Sequence, residues 1–217
     1  LTKNELNKKA SDLAYKIFPK SPIIRNELVN RVRPSSSAAG VRRALIHRMA
    51  NNDGEENLGI EGFPPEYSLF KSILENTKIY SKEGDKYFFS IPGDNDPLGI
   101  NELWNGALSF FEDNNERNVK LEELYELWRQ PPYGIKDSLM PILAVAILKS
   151  VQSNLVCYRE GIFQTAIDEL FVDYLMYSPN DIEIRWINVN KTSKNLVLQM
   201  MSLVEELNPG YNIKGSE

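Results

Sequence analysis

The chain has 217 residues, 42% hydrophobic and 25% charged, an ordinary balance for a globular protein and enough for one large core or two small ones. Its net charge is −5, and it holds one cysteine and one histidine, which excludes an internal disulfide and any zinc site built from several Cys and His side chains. The longest apolar run, 139–148, ends at Lys149 and is too short to span a bilayer, so no membrane partner is expected.

The first residues show no basic-then-apolar leader, and the expected location is cytoplasmic. The start at Leu1 and the polar tail Lys214-Gly215-Ser216-Glu217 read as a piece of a longer polypeptide. Charge is spread unevenly. Between Lys20 and Arg48 lie Lys20, Arg25, Arg31, Arg33, Arg42, Arg43 and Arg48 against Glu27 alone. That asymmetry predicts a localised anion-facing surface on an otherwise acidic body.

In chain order, Thr2-Lys3-Asn4-Glu5 is a capping-box sequence and predicts a helix running to about residue 18. Leu6, Ala10, Leu13, Ala14 and Ile17 give it an apolar stripe. Pro19 to Pro22 breaks it, with Ser21 as N-cap and Pro22 opening a second helix over 23–32. Ser35, Ser36 or Ser37 caps a third, whose buried face is Ala38, Val41, Leu45 and Met49 and which ends at Asn51-Asn52-Asp53-Gly54.

A pattern then occurs twice: a Pro-Pro step, a helix-like apolar segment, and a hairpin turning on Glu-Gly. The first copy runs from Pro64-Pro65 through Leu69, Ile73 and Leu74 to a hairpin at Glu83-Gly84. The second runs from Pro131-Pro132 through 139–148 to a hairpin at Glu160-Gly161. Between them, Pro92-Gly93-Asp94-Asn95-Asp96-Pro97-Leu98-Gly99 is a dense turn cluster and the best internal boundary. Amphipathic helices are predicted around Leu103, Trp104, Ala107, Leu108 and Phe111 and over 121–128. Beyond the second hairpin come a helix over 167–177, a half-buried strand at Ile182, Ile184 and Trp186, and a last helix over 192–207. The predicted fold is mostly α with short β-hairpins, a minor α+β component in tandem winged-helix-like units. Residues 1–92 carry the basic helix and first wing, 100–190 the second unit, and 191–217 a C-terminal helix and tail.

Asn26-Glu27-Leu28-Val29-Asn30-Arg31, then Ser35 to Ala39 with Arg42-Arg43, then Leu58-Gly59-Ile60-Glu61-Gly62-Phe63-Pro64-Pro65-Glu66, resemble parts of large prokaryotic P-loop ATPases of the phage-exclusion (BREX) type and related defence systems. Pro131-Pro132-Tyr133-Gly134-Ile135-Lys136-Asp137 and the helix and hairpin after it carry the same resemblance, which covers most of residues 10–185. It implies a helical and winged-helix appendage after the nucleotide-binding core, coupling ATP turnover to DNA or a partner. This chain contains no Gly-x-x-x-x-Gly-Lys-Ser/Thr loop, so ATP hydrolysis does not carry over to it and no cofactor is expected in it.

Individual residues give little catalytic signal. His47 is expected to face solvent on the third helix, and Cys157 to be a small buried strand residue. Asp94-Asn95-Asp96 lacks the later ligands of a calcium loop and reads as a turn. Glu122, Glu123 and Glu126 read as solvated charge. The apolar 139–148 helix reads as buried scaffolding rather than a groove reader, and Tyr80, Tyr87, Phe88 and Phe89 as packing more than base stacking.

The candidate anion-binding set is Arg31, Arg33, Ser36, Arg42, Arg43 and Arg48, with the Ser-rich helix N-terminus aiding a phosphate. Arg42 projects close to the apolar stripe and is expected to need a carboxylate such as Glu27 or Glu61. Arg43 is expected to be freer to meet an anion. The leading expectation is a non-catalytic regulatory or interaction fragment whose partners are the rest of a larger polypeptide or complex. The alternative is an independent nucleic-acid-binding module contacting phosphate through the basic helix. An enzyme with scattered carboxylates is the third.

Overall fold

Helix α1 (Lys3–Ile17) starts at a closed capping box: the Glu5 N–H donates to the Thr2 hydroxyl and the Thr2 N–H to the Glu5 carboxylate. In the computed structural model, which describes residues 2–30, 35–93, 96, 98–187 and 203, none of its residues is buried. Leu6, Leu13 and Ile17 of the apolar stripe are exposed at 53%, 57% and 42%, so no described residue covers that face. The helix is tethered at its end instead. Phe18 lies against Gly134, the Lys20 N–H donates to the Pro132 carbonyl, and the Lys20 ammonium meets Glu102 at 2.7 Å.

The second helix starts four residues later than the sequence predicts. Within the described residues it is α2 (Glu27–Asn30). The Ile23 N–H is drawn to the Leu98 carbonyl at 2.7 Å, which holds this stretch extended. Asn26 then starts the turn, its Oδ1 accepting from the Leu28 N–H while its Nδ2 donates to Ser68 and Ser72. Helix α3 (Ser36–Asn51) is capped by Ser35, whose hydroxyl accepts from the Ala38 N–H at 3.2 Å. It buries Ala38, Leu45, Ile46 and Met49.

The two Pro-Pro copies do not fold alike. In the first, Pro64 caps α4 (Pro65–Leu69) directly, and the helix widens into a π-helical segment (Phe70–Glu75) before strands β1 (Tyr80–Glu83) and β2 (Lys86–Phe89) pair antiparallel. In the second, Pro131-Pro132 follows α6 (Leu121–Arg129) and leads into a turn. Gly134 takes φ 63° there, the Ile135 N–H returns to the Trp128 carbonyl, and α7 (Met140–Ser150) starts only afterwards.

The second hairpin is not an isolated wing either. Strands β4 (Leu155–Arg159) and β5 (Ile162–Gln164) turn on Glu160 and Gly161, both at positive φ, as a two-residue hairpin requires. On its other side β4 pairs with β6 (Ile182–Trp186), which pairs with β3 (Val119–Lys120), giving the antiparallel order β3-β6-β4-β5. Among the described residues the fold is mostly helical with one two-stranded and one four-stranded sheet, so the two units do not share one wing geometry. Helices α5 (Ile100–Asp113) and α8 (Glu169–Tyr177) complete the description.

Every residue of α7 from Met140 to Leu148 is buried. This all-round apolar helix touches α3 and β2 from the first half and α8 from the second, and one apolar cluster runs from Ile24 to Trp186. Asp96 shapes the turn between the halves, accepting from the N–H groups of Leu98 and Asn101. Asp94, Asn95 and Pro97 lie outside the described residues, as does the predicted 192–207 helix apart from Leu203, which is helical and exposed. No described helix is long and apolar enough to cross a membrane.

Candidate functional site

Helix α3 places Arg43, His47 and Asn51 four residues apart on one face, and α8 answers with Glu169 and Asp173 at the same spacing. Arg43 grips Asp173 with a fork, Nε to Oδ1 at 2.9 Å and Nη2 to Oδ2 at 2.6 Å. His47 Nε2 lies 2.8 Å from the same Oδ1, and its Nδ1 is 3.6 Å from Glu169, whose other oxygen accepts from Asn51. The Arg43 and His47 hydrogen bonds hold the Asp173 carboxyl down at about 2, against its part burial.

His47 therefore faces α8 and not solvent, contrary to expectation. The sequence of α3 cannot reveal that α8 lies along its outer face, although the matching four-residue spacings of Glu169/Asp173 and Arg43/His47 were the available signal. Both ring nitrogens face carboxylates, which leaves neither turned toward a nucleophile. Cys157 is buried on β4, and burial pushes its thiol up to about 12. Among the described residues no three His, Cys, Asp or Glu side chains converge to hold a metal.

The remaining basic residues of the set divide sharply. Arg48 donates from Nη1 to the Gly59 carbonyl at 2.9 Å and lies 3.5 Å from Glu66, tying α3 to the turn before α4. Ser36 is the exposed first residue of α3, while the capping hydroxyl belongs to Ser35. Arg31 and Arg33 lie outside the described residues. Arg42 is the exception, because its Nε and Nη1 are shut away from solvent and meet no acceptor among the described residues. Burial pulls its pKa down, and only the nearby Tyr177 pushes the other way.

The roles expected of the adjacent arginines are thus reversed. Arg43 has the carboxylate, and neither Nε nor Nη1 of Arg42 meets an acceptor among the described residues. One residue step along a helix turns a side chain by about 100°. Here it separates the face that meets α8 carboxylates from the face that meets the packed junction of α7 and α8.

Arg42 lines a cleft of about 500 Å³ where the end of α1 meets α6, α7, α8 and the 134–138 loop. Phe18, Ile135, Pro141 and Met176 form its apolar wall; Arg42, Arg129, Lys136 and Asp137 supply its charges. Gly134 permits the closure, since a Cβ there would fall 2.5 Å from the Phe18 ring. Arg129 is fully engaged, meeting Glu122 at 2.6 Å, Glu126 at 2.7 Å and Asp137 at 2.8 Å. Its part burial works against its charge, yet the bonds to Glu122 and Asp137 hold its pKa above the ordinary value. Lys136 donates to the Asn30 carbonyl, and Ser138 donates to that of Val29 at 2.6 Å.

Glu122 and Glu126 are therefore not loose surface charge but the far side of this cluster, and Glu123 forks onto Arg117 at 2.9 and 2.7 Å. None of Phe18, Arg129, Lys136 or Met176 was singled out from sequence as a site residue. They come together only through tertiary packing. No family model, curated protein or solved structure matches this chain.

Proposed function

We propose that this chain is a non-catalytic interaction module that transmits a conformational state between neighbouring parts of a larger assembly. The observation that carries this reading is the inward turn of α3. Arg43, His47, Arg48 and Asn51 engage α8, the Gly59 carbonyl and Glu66, so the helix acts as a strut between the two halves. Below the strut, α7 is packed on all sides and touches elements of both halves, so displacement of one is felt by the other. The sequence resemblance supplies the setting: a module next to the nucleotide-binding core of a P-loop ATPase of the phage-defence type. The alternative of an independent nucleic-acid binder draws on the same arginines, but Arg43 and Arg48 on the described part of α3 are already engaged by Asp173, the Gly59 carbonyl and Glu66.

The test is a coupling experiment on the intact assembly. A P-loop should be encoded in the same polypeptide or in a subunit that co-purifies. Breaking the strut with Asp173→Ala should change that subunit's ATPase rate without abolishing nucleotide binding. Absence of any P-loop partner, or an unchanged rate in the variant, would remove the ATPase setting.

A further inference from the structure

We propose that the uncovered apolar face of α1 is the docking surface for this chain's own residues 196–207, laid on it as an antiparallel helix. This does not depend on the ATPase setting.

The face itself sets the kind of occupant. Leu6, Ala10, Leu13 and Ile17 recur at steps of four, three and four, the seam of a two-stranded coil rather than the broader stripe of a helix resting on a core. None of them is buried, and Leu6 and Leu13 are more than half exposed. A helix of 15 residues is marginal in water without packing, and the described tether of α1 is at one end, through Phe18 and Lys20.

The same chain holds a strip that matches. Leu196, Met200, Leu203 and Leu207 recur at the same four-three-four steps, inside the stretch where the sequence predicts a last helix. Leu203 is helical and 55% exposed, so it too presents an apolar side chain that the described residues leave open.

Size and charge choose the arrangement. Laid antiparallel, Leu203 falls opposite the small Ala10, and Leu196 opposite Ile17 at the base of α1. On one flank of the seam Lys9 then faces Glu206 and Lys16 faces Gln199, while on the other Ala14 faces Val197. A second copy of α1 fits less well. Antiparallel, it would bring Lys9 and Lys16 of the two copies together; parallel, it would stack Ala10 on its own counterpart and leave the middle of the seam thin.

The connection is long enough. The Ile187 N–H bonds to the Asn154 carbonyl just past the end of α7, while Pro141 at the start of α7 shares a cleft with Phe18. The 11 residues of α7 cover about 16 Å. The stretch from Ile187 to Leu196 reaches about 30 Å at full extension, which brings Leu196 to the base of α1.

Disulfide trapping in the full chain tests the pairing. Ala10→Cys with Leu203→Cys should close within one chain under mild oxidation, read as a faster-migrating monomer on a non-reducing gel. The native Cys157 is buried and does not compete. Tyr15→Cys with Leu203→Cys, which puts the thiol on the far side of α1, should close much more slowly. Lys9→Glu should slow closure of the first pair about two- to fivefold, the range of an exposed ion pair, and Glu206→Lys added to it should restore the rate. Failure of the first pair to close, or equal rates for both pairs, would overturn the docking. Closure between chains only, as a linked dimer, would give the face to a second copy instead. No recovery with Glu206→Lys would overturn the antiparallel register.

Discussion

Arg43 and Asp173, 130 residues apart in the chain, close a two-bond fork of 2.9 and 2.6 Å that fastens α3 to α8. The next residue back, Arg42, points into a different environment and meets no carboxylate among the described residues. Two neighbouring arginines of identical chemistry thus hold opposite positions. One closes the fold, and the other keeps two enclosed nitrogens without an acceptor among the described residues.

The fork has a pH signature. Asp173 titrates at about 2 in the fold against an ordinary 3.8, so between those values the folded chain binds fewer protons than the unfolded one. Its contribution is complete above the ordinary value and is lost as pH falls toward 2. Melting curves from neutral to strongly acid solution should show wild type losing more stability in that window than Asp173→Asn. Parallel curves would contradict the pairing.

Helix α7 should behave as the shared centre of both halves. Leu143→Ala removes a fully buried side chain and should cost about 2–5 kcal/mol in urea unfolding. Amide exchange should quicken in α3, β2 and α8 together, since α7 touches all three. Loss of protection in only one half would show two independent cores.

The close approach at Gly134 is a third point of leverage. Its φ is 63°, and an added Cβ would fall 2.5 Å from the Phe18 ring. Gly134→Ala should cost about 1–2 kcal/mol from the left-handed conformation alone and should also loosen the end of α1. Limited trypsin digestion should then cut at Lys16 or Lys20 faster than in wild type.

Local signals explain which parts of this architecture are readable from sequence. The Thr2/Glu5 box, the Ser35–Ser37 run, the apolar 139–148 segment and the Glu160-Gly161 turn each act over a few residues and mark their elements, whereas the first hairpin turns on Gly84-Asp85 and not on Glu83-Gly84, because Glu83 pairs with Lys86. The second helix starts later than predicted because Ile23 and Asn26 are engaged by Leu98, Ser68 and Ser72, all distant in the chain. The repeated Pro-Pro pattern misleads for the same reason: Ile135 returns to Trp128 in one copy only, and β6 joins one hairpin and not the other. Of the candidate site, the basic residues were visible but their assignment was not. Which of Arg42 and Arg43 is paired depends on where α8 packs, and nothing within α3 encodes that.

The central proposal is that Arg43 and Arg48 of α3 serve the fold rather than nucleic acid. Fluorescence anisotropy of a labelled DNA duplex at low salt, comparing wild type with the Arg43→Ala/Arg48→Ala double variant, tests it most directly. The account predicts that the double variant is less stable but that any duplex binding is unchanged between the two proteins. Tight, steeply salt-dependent binding by wild type that disappears in the variant would contradict it.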